Sequence, residues 1–399
     1  MSKVCVIGMW HLGCVTAGCL SSNHEVTCFD FDKKVIKNLE KGKLPIYEPG
    51  LDYLFKHSDI KYSTHLRDCV PDADFVFIAY DTPIDNDNKP KLEIIFKTIN
   101  RIKKLVNKKT IVLISSQIPV GTTDEISKEL KCRVCFIPEN LRLGNAIDLF
   151  LNPDFIVFGL SFDKKPIEDF YSFINCKKIF VTPKEAEMIK HTLNVYLASM
   201  ISLSGEICDI CEKKGVDATK VMSAVKADRR VSNLAPIMPG MGFSGGTLDR
   251  DVQVLRSTGY TPFLNGVDSA NKHRQNYVIR KLMAEGLLYK RVTFLGLTYK
   301  PGTSALRDSP TLRIFDNLKL KDLNIKVYDP AIKKLEGYDD VKVCKDLDDA
   351  LDTDVIVIIT DWEDFKSINY SNKVVIDTKN MLNPESYVNI TYYGVGINS

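Results

Sequence analysis

The sequence predicts an α/β protein in which two doubly wound parallel sheets are joined by a helical domain. Three observations predict it. Short apolar strands alternate with helical stretches from Lys3 to Val181, the pattern of a parallel sheet covered by helices. The alternation then stops, and residues 184–214 contain no proline and repeat apolar groups at helical spacing. A second strand–turn–helix system begins at Arg291 and closes at Asp377. The expected domains are 1–183, 184–287 and 288–399.

The elements follow in order. Lys3–Ile7 reads as a strand, and the turn Gly8-Met9-Trp10-His11-Leu12-Gly13 leads into a helix through Leu20. Val26–Phe29 is the second strand and ends at Asp30. Phe75–Ala79, Ile111–Ser115, Cys135–Pro138, Phe155–Gly159 and Ile179–Val181 continue the series. Met188, Ile189, Leu193, Leu197, Met200 and Ile201 mark one long helix that ends near Gly215. More helix runs through Val225, then comes a glycine-rich loop, then helices to about Leu287. Arg291–Gly296, Ile325–Pro330, Val355–Thr360 and Val374–Asp377 supply the strands of the second system.

Composition narrows the function classes. The chain has 399 residues, 44% apolar and 26% charged, as ordinary globular proteins have. A net charge of +3 gives no argument for nucleic acid or a membrane surface. No apolar run approaches the ~20 residues of a membrane-spanning helix, and no signal peptide is visible. A cytoplasmic location with reduced thiols is the expectation for the eleven cysteines. Two pairs have metal-like spacing, Cys132/Cys135 and Cys208/Cys211. The first enters a strand, where residues three apart face opposite sides; the second lies within a helix with no knuckle glycine. Core packing, and no metal, is the expectation. The six histidines form no ligand cluster.

A strand, a glycine turn and a helix are what a Rossmann pyrophosphate site needs. Gly8 and Gly13 are the first and third fingerprint glycines, but Trp10 stands at the second, where glycine lets the main chain approach the diphosphate. Either the ring swings away, or the site holds a dinucleotide poorly. Asp30 stands where a carboxylate accepts hydrogen bonds from the adenosine ribose, and it disfavours the extra phosphate of NADP. The turn, Asp30 and the strand order point to NAD. Lys190 and Asn194, four apart on the long helix, project from one face. They can hold a hydroxyl or a water that takes its proton, or they are a solvated helix face.

The segment Pro239-Gly240-Met241-Gly242-Phe243-Ser244-Gly245-Gly246-Thr247-Leu248-Asp249-Arg250-Asp251 closely resembles the active-site loop of the UDP-glucose/GDP-mannose dehydrogenases. The resemblance covers nearly the whole chain. It includes Lys41–Leu51, Asp81-Thr82-Pro83, Ser115–Thr122, Pro138–Gly144, Asn152-Pro153-Asp154 and Glu187–Lys190. It continues through Leu295–Thr303, Arg307, Tyr328-Asp329-Pro330 and Thr360-Asp361-Trp362. It implies two Rossmann-like domains, an NAD site that includes Leu12, Thr82 and Gln117, a UDP-sugar substrate, and a homodimer formed through the central helix. Asn140, Leu141 and Arg142 are expected at the sugar, Phe243 and Gly246 at the pyrophosphate, and Lys300 and Arg307 at the uridine diphosphate. Asn140 replaces a phenylalanine of the family, which implies a sugar other than glucose.

Family members oxidise a sugar alcohol twice, through an aldehyde trapped by a cysteine. Lys190, Asn194 and Asp251 match the residues of the first step. Thr247 stands in the cysteine's place, Leu143 in that of a glutamate base for thioester hydrolysis, and Gln117 in that of a threonine that supports the active-site water. A threonine hydroxyl is a poor nucleophile without an activating base, and a leucine moves no proton. The sequence thus predicts oxidation of a UDP-sugar's primary alcohol to the aldehyde. One variant still makes the acid, through an aldehyde hydrate. The alternatives are a redox-neutral NAD-dependent epimerase and a non-catalytic nucleotide-sugar-binding protein of polysaccharide biosynthesis.

Overall fold

Alternation along the strands sorts their side chains into two cores. In β1 (Lys3–Ile7), Val4 and Val6 enter one buried cluster, and Cys5 and Ile7 enter another. A strand with both faces buried must lie inside a sheet covered on both sides. β2 (Glu25–Phe29), β3 (Lys61–Ser63), β4 (Phe75–Ile78), β5 (Ile111–Ile114), β6 (Arg133–Phe136), β7 (Phe155–Gly159) and β8 (Lys177–Val181) complete an eight-stranded sheet of order β3-β2-β1-β4-β5-β6-β7-β8. The computed structural model describes residues 1–82, 90–243, 247–298, 300–304, 306, 309–318, 320 and 322–397. All neighbours pair parallel except β6 and β7, which meet antiparallel at Phe136 opposite Gly159. A Cβ on Gly159 would lie 2.6 Å from that of Ala186, so the glycine admits the next helix at that point.

A second sheet is built from β9 (Val292–Leu295), β10 (Ile325–Tyr328), β11 (Val341–Val343), β12 (Val355–Ile358), β13 (Val374–Asp377) and β14 (Thr391–Gly394), in the order β11-β10-β9-β12-β13-β14. Every neighbour pair is parallel. Phe294, Val355 and Val357 face one core, and Leu295, Ile356 and Ile358 the other. Each sheet reverses its strand order once, between β1 and β4 and between β9 and β12. Ligands of open α/β sheets bind outside the carboxyl ends of the strands at such points.

The long helix spans Pro183–Lys214. It stops where Gly215 takes a φ of +69°, a conformation that suits glycine at a helix end, and the Val216 N–H returns to the Cys211 carbonyl at 2.9 Å. Helices Ala218–Lys226, Leu248–Arg256, Pro262–Gln275 and Tyr277–Ala284 follow. The chain folds as two compact units, Met1–Thr192 and Leu193–Ser399, with the boundary inside the long helix. Among the described residues, no helix is long and apolar enough to cross a membrane. All eleven cysteines are free. Cys135 lies in a sheet core, and Cys208 and Cys211 pack with Ala218, Ile207 and Val221.

Candidate active site

The first glycine turn is fixed by its neighbours. Gly8 has a φ of +100°, and a Cβ there would come within 3.0 Å of Tyr80. A Cβ on Gly13 would lie 1.7 Å from the Gly8 carbonyl oxygen, so only glycine lets the helix His11–Leu20 sit against the turn. Trp10 caps that helix from an extended conformation and makes no side-chain cap. The first amides of the helix therefore keep their donors for an anion. Trp10 is 48% exposed, so its ring is not wedged into the turn. Asp30 accepts from the Met9 N–H at 2.7 Å and the Asp32 N–H at 2.9 Å. A carboxylate has about four acceptor positions, which leaves capacity for a ribose hydroxyl. These residues fit a dinucleotide.

The loops after β4, β5 and β6 are tied to one another and to this turn. The Thr82 hydroxyl donates to the Gln117 carbonyl at 2.5 Å. Glu48, almost fully buried, accepts from His11 Nε2 at 2.9 Å, from the Gly144 N–H at 2.8 Å and from the Ala146 N–H at 2.9 Å. Burial opposes its ionisation, but the two amides and His11 outweigh it and hold its carboxyl below the ordinary glutamate range. Glu48 thus joins the first residue of the dinucleotide helix to the loop that carries Asn140, Leu141 and Arg142. Nothing in the sequence marked Glu48 beyond its place in the Lys41–Leu51 motif, because its partners are remote in the chain.

Lys190 lies on the long helix and is buried. Its ammonium donates to the Glu139 carbonyl and, at 3.1 Å, to Asn140 Oδ1. Two other helix residues hold this stretch against the loop after β5. Glu187 accepts from the Gly121 and Thr123 N–H groups at 2.5 and 2.8 Å, and His191 Nε2 lies 3.1 Å from the Ile118 carbonyl. Leu141 packs on the first sheet's core, and its N–H donates to Glu139 Oε1 at 2.5 Å. Arg142 is exposed.

Asn194, one turn beyond Lys190 on the same helix, donates through Nδ2 to Asp251 Oδ2 at 2.5 Å. Asp251 is fully buried, with Arg250 Nε at 4.0 Å from its other oxygen. A buried carboxylate is costly unless bonded and paired, and here it is both. Thr247 caps the helix Leu248–Arg256 without a side-chain cap bond and is exposed. The Thr247 carbonyl accepts from the Asp251 N–H.

Gly240 and Phe243 are gripped by the helix Pro262–Gln275. Asn271 accepts from the Phe243 N–H at 2.9 Å and donates to its carbonyl at 3.1 Å, and Gln275 donates to the same carbonyl at 2.6 Å. The Phe243 amide, expected to reach a pyrophosphate, is thus engaged within the chain. Arg274, buried, donates to the Gly240 carbonyl at 2.7 Å and to Asp209 at 2.6 Å. Gly242 has a φ of +83°, and a Cβ there would lie 2.4 Å from Asn271 Oδ1. Asn271, Arg274 and Gln275 escaped the sequence reading, although they line one face of a helix. Lys300 is half-buried in the loop after β9. Gly246 and Arg307 lie outside the described residues. Among the described residues, no group of three His, Cys, Asp or Glu side chains could hold a metal ion.

Three domains of one family match the chain in order. The NAD-binding domain matches residues 2–172, the central domain 184–272 and the UDP-binding domain 293–384. The UDP-glucose 6-dehydrogenase of Rickettsia conorii is 31% identical over 99% of both chains. The UDP-glucose 6-dehydrogenase YwqF of Bacillus subtilis is 30% identical over 99% of this chain and 97% of its own length. A UDP-glucose dehydrogenase structure from Pyrobaculum islandicum superposes with a TM-score of 0.92 at 26% identity, covering 100% of this chain and 98% of that one. NAD is the cofactor of the first domain, and family members are NAD-dependent oxidoreductases acting on nucleotide sugars. The chain is a member of the UDP-glucose/GDP-mannose dehydrogenase family.

Proposed function

We propose that the protein oxidises the primary alcohol of a UDP-sugar and releases the aldehyde. The observation that carries this reading is the buried 2.5 Å bond from Asn194 to Asp251, on the helix that also bears Lys190. That set suits the first oxidation. NAD, when bound, accepts the hydride from the sugar carbon. Gly8, Leu12, Gly13 and the amides after Trp10 would hold its diphosphate, Asp30 its ribose, and Thr82 and Gln117 the nicotinamide end. Lys190 would donate to the sugar oxygen, and Asn194 would orient the water that takes the hydroxyl proton. Asp251 fixes the Asn194 amide by accepting from it. Leu141 and Arg142 would face the sugar, and Gly246, Lys300 and Arg307 would hold the uridine diphosphate.

The second oxidation is where the residues depart from what it requires. Among the described residues, no base is bonded to the hydroxyl of the exposed Thr247 to make it a nucleophile, and Leu143 offers no proton transfer. One observation favours a second reading, in which the acid is still made through the aldehyde hydrate. Glu139 keeps a carboxylate on the loop that Lys190 grips, although its Oε1 is bound to the Leu141 N–H.

The test is the yield of NADH per UDP-sugar at exhaustion across a panel of UDP-hexoses, with products identified by mass. One NADH and an aldehyde is the expected result. Two NADH and an acid would overturn it. If that yield dropped to one in Glu139→Gln, the hydrate route would be established. Isomerised sugar without NADH would identify an epimerase, and bound but unchanged UDP-sugar would identify a binding protein.

We further place the boundaries at 1–183, 184–287 and 288–399, and the chain as a homodimer in a reducing cytoplasm. Tyr196, Leu203 and Ile210 recur every seventh residue on the long helix and are 63%, 62% and 53% exposed. Residues seven apart share a helix face, and so long an apolar stripe suits a second copy. Light scattering should give a dimer, and Leu203→Glu should give monomers.

A further inference from the structure

We infer that Asn140 is a positioning residue for Lys190, and not primarily a sugar contact. The inference rests on the proposed oxidation for its kinetic readout, but the geometry stands without it. Asn140 Oδ1 lies 3.1 Å from the Lys190 ammonium, and the carbonyl of the preceding residue, Glu139, accepts from the same nitrogen. Lys190 is buried, so a charge there needs acceptors to replace water. Both oxygens can only accept from this group, and acceptors stabilise the ammonium over the neutral amine.

Two consequences follow. An ammonium on a four-carbon stem is otherwise a rotating point charge, and two adjacent acceptors on one loop fix its direction. The acceptors also keep it a donor, so that it polarises a sugar oxygen and leaves the proton of that hydroxyl to water. Glu187 is held by Gly121 and Thr123, and the Glu139 carboxylate by Leu141. The residue standing in a phenylalanine's place therefore serves the lysine directly, which a phenylalanine cannot do, having no acceptor.

The test compares Asn140→Leu, which keeps the shape without the acceptor, with Asn140→Asp, which keeps an acceptor. In Asn140→Leu, kcat should fall about tenfold, the loss of one hydrogen bond to a charged group. The factor should be the same for every UDP-sugar that turns over, with KM within twofold. Asn140→Asp should stay near the parent. Acylation of Lys190 by an amine-reactive ester, followed by peptide mass in the absence of any substrate, should be faster in Asn140→Leu, since only the neutral amine reacts. Sugar-dependent changes in KM with kcat preserved would overturn the inference, as would equal losses in the two variants or an unchanged acylation rate. A parent protein that oxidises no UDP-sugar would overturn the proposed function, while the acylation rates would still decide the role of Asn140.

Discussion

The two sheets end their first strands on the same device and use it differently. Gly8 after β1 has a φ of +100°, and Gly296 after β9 has one of +101°. Each glycine faces the end of the strand across its switch point, Tyr80 in the first sheet and Thr360 in the second. Each turn is braced by a carboxylate from the end of the next strand, Asp30 or Asp329. The difference is saturation. Asp30 takes two backbone N–H groups. Asp329 Oδ2 alone receives the Leu297 N–H at 2.8 Å, the Thr298 N–H and hydroxyl at 3.0 Å, and Trp362 Nε1 at 3.2 Å, while Oδ1 takes the Ala331 N–H. A carboxylate so filled and buried is an internal brace, whereas one with spare acceptors can greet a ligand. The helices differ in the same sense. One starts at His11, directly on the first turn, and the other only at Pro310. Its capping Ser309 donates to the Leu297 carbonyl at 2.6 Å, and Thr311 donates to that of Gly296 at 2.7 Å. The first helix start has no side-chain cap, which suits a diphosphate, whereas the described residues of the second turn bond to one another.

Exchange of the two carboxylates should give the largest contrast. Asp329→Ala strands five donors, four of them on one oxygen, and should cost the second unit about 3–5 kcal/mol. Asp30→Ala should cost about 1 kcal/mol of stability but weaken NAD binding about tenfold or more. The two tryptophans separate the readouts, since Trp10 lies at the first turn and Trp362 is bonded to Asp329. Urea unfolding followed by Trp362 emission in a Trp10→Phe background measures the second unit. Equal losses from the two alanine variants would mean that saturation does not distinguish the turns.

The glycines come next. A Cβ on Gly296 would meet Thr360 at 2.5 Å, against 3.0 Å from Gly8 to the Tyr80 ring. Both substitutions force an L-residue into a positive φ, at about 1–2 kcal/mol, and overpacking adds about 1–3 kcal/mol more where nothing can move. Gly296→Ala should therefore destabilise by about 2–5 kcal/mol and Gly8→Ala by less. If Gly8→Ala cost more, the ring of Tyr80 would be the more rigid neighbour.

These contrasts mark what the sequence could and could not reveal. Both turns, most strands of both sheets and the long helix were legible, because period-two and helical spacing follow directly from burial. The strands Lys61–Ser63, Val341–Val343 and Thr391–Gly394 were missed. Each is short and lies at or near a sheet edge, where alternation is weak. Spacing put Lys190 and Asn194 on one helix face, and the resemblance added Asp251, which the fold bonds to Asn194. The partners of Glu48, Glu187 and Asn271 were not legible, because each acts on backbone groups far away in the chain, and a side chain that bonds a remote amide leaves no local pattern. The bond from Asn140 to Lys190 was hidden for the same reason, since only folding brings residue 140 to residue 190.

Glu48 gives the first turn a titratable tie. Its carboxyl is held below the ordinary range in the folded chain. The stabilisation is therefore fully present above the unfolded value, about 4.3, and fades as pH falls through the lower folded value. Glu48→Gln should cost about 1–2 kcal/mol at pH 7, and the gap from the parent should close in acid. Thermal unfolding of both proteins from pH 7 to pH 3 measures it. A gap that stays constant with pH would show that the three hydrogen bonds matter and the charge does not.

The smallest effect concerns Trp10, whose place in the fingerprint is the oddest feature of the first turn. Its backbone φ of −104° is ordinary for any L-residue, and the amides beyond it are the proposed anion site. The cost of a side chain at this position is then steric alone, and a half-exposed ring can be moved aside by an incoming diphosphate. Trp10→Gly should change the NAD dissociation constant by no more than about threefold, less than about 0.7 kcal/mol. Yet NAD should alter the emission of Trp10 strongly and that of Trp362 little, because the first turn is the proposed dinucleotide site. Titration of Trp10→Phe and Trp362→Phe separates these cases. A tightening of tenfold or more in Trp10→Gly would mean that the indole stands in the diphosphate's place. The difference between the two turns would then owe as much to that one ring as to the filling of Asp329.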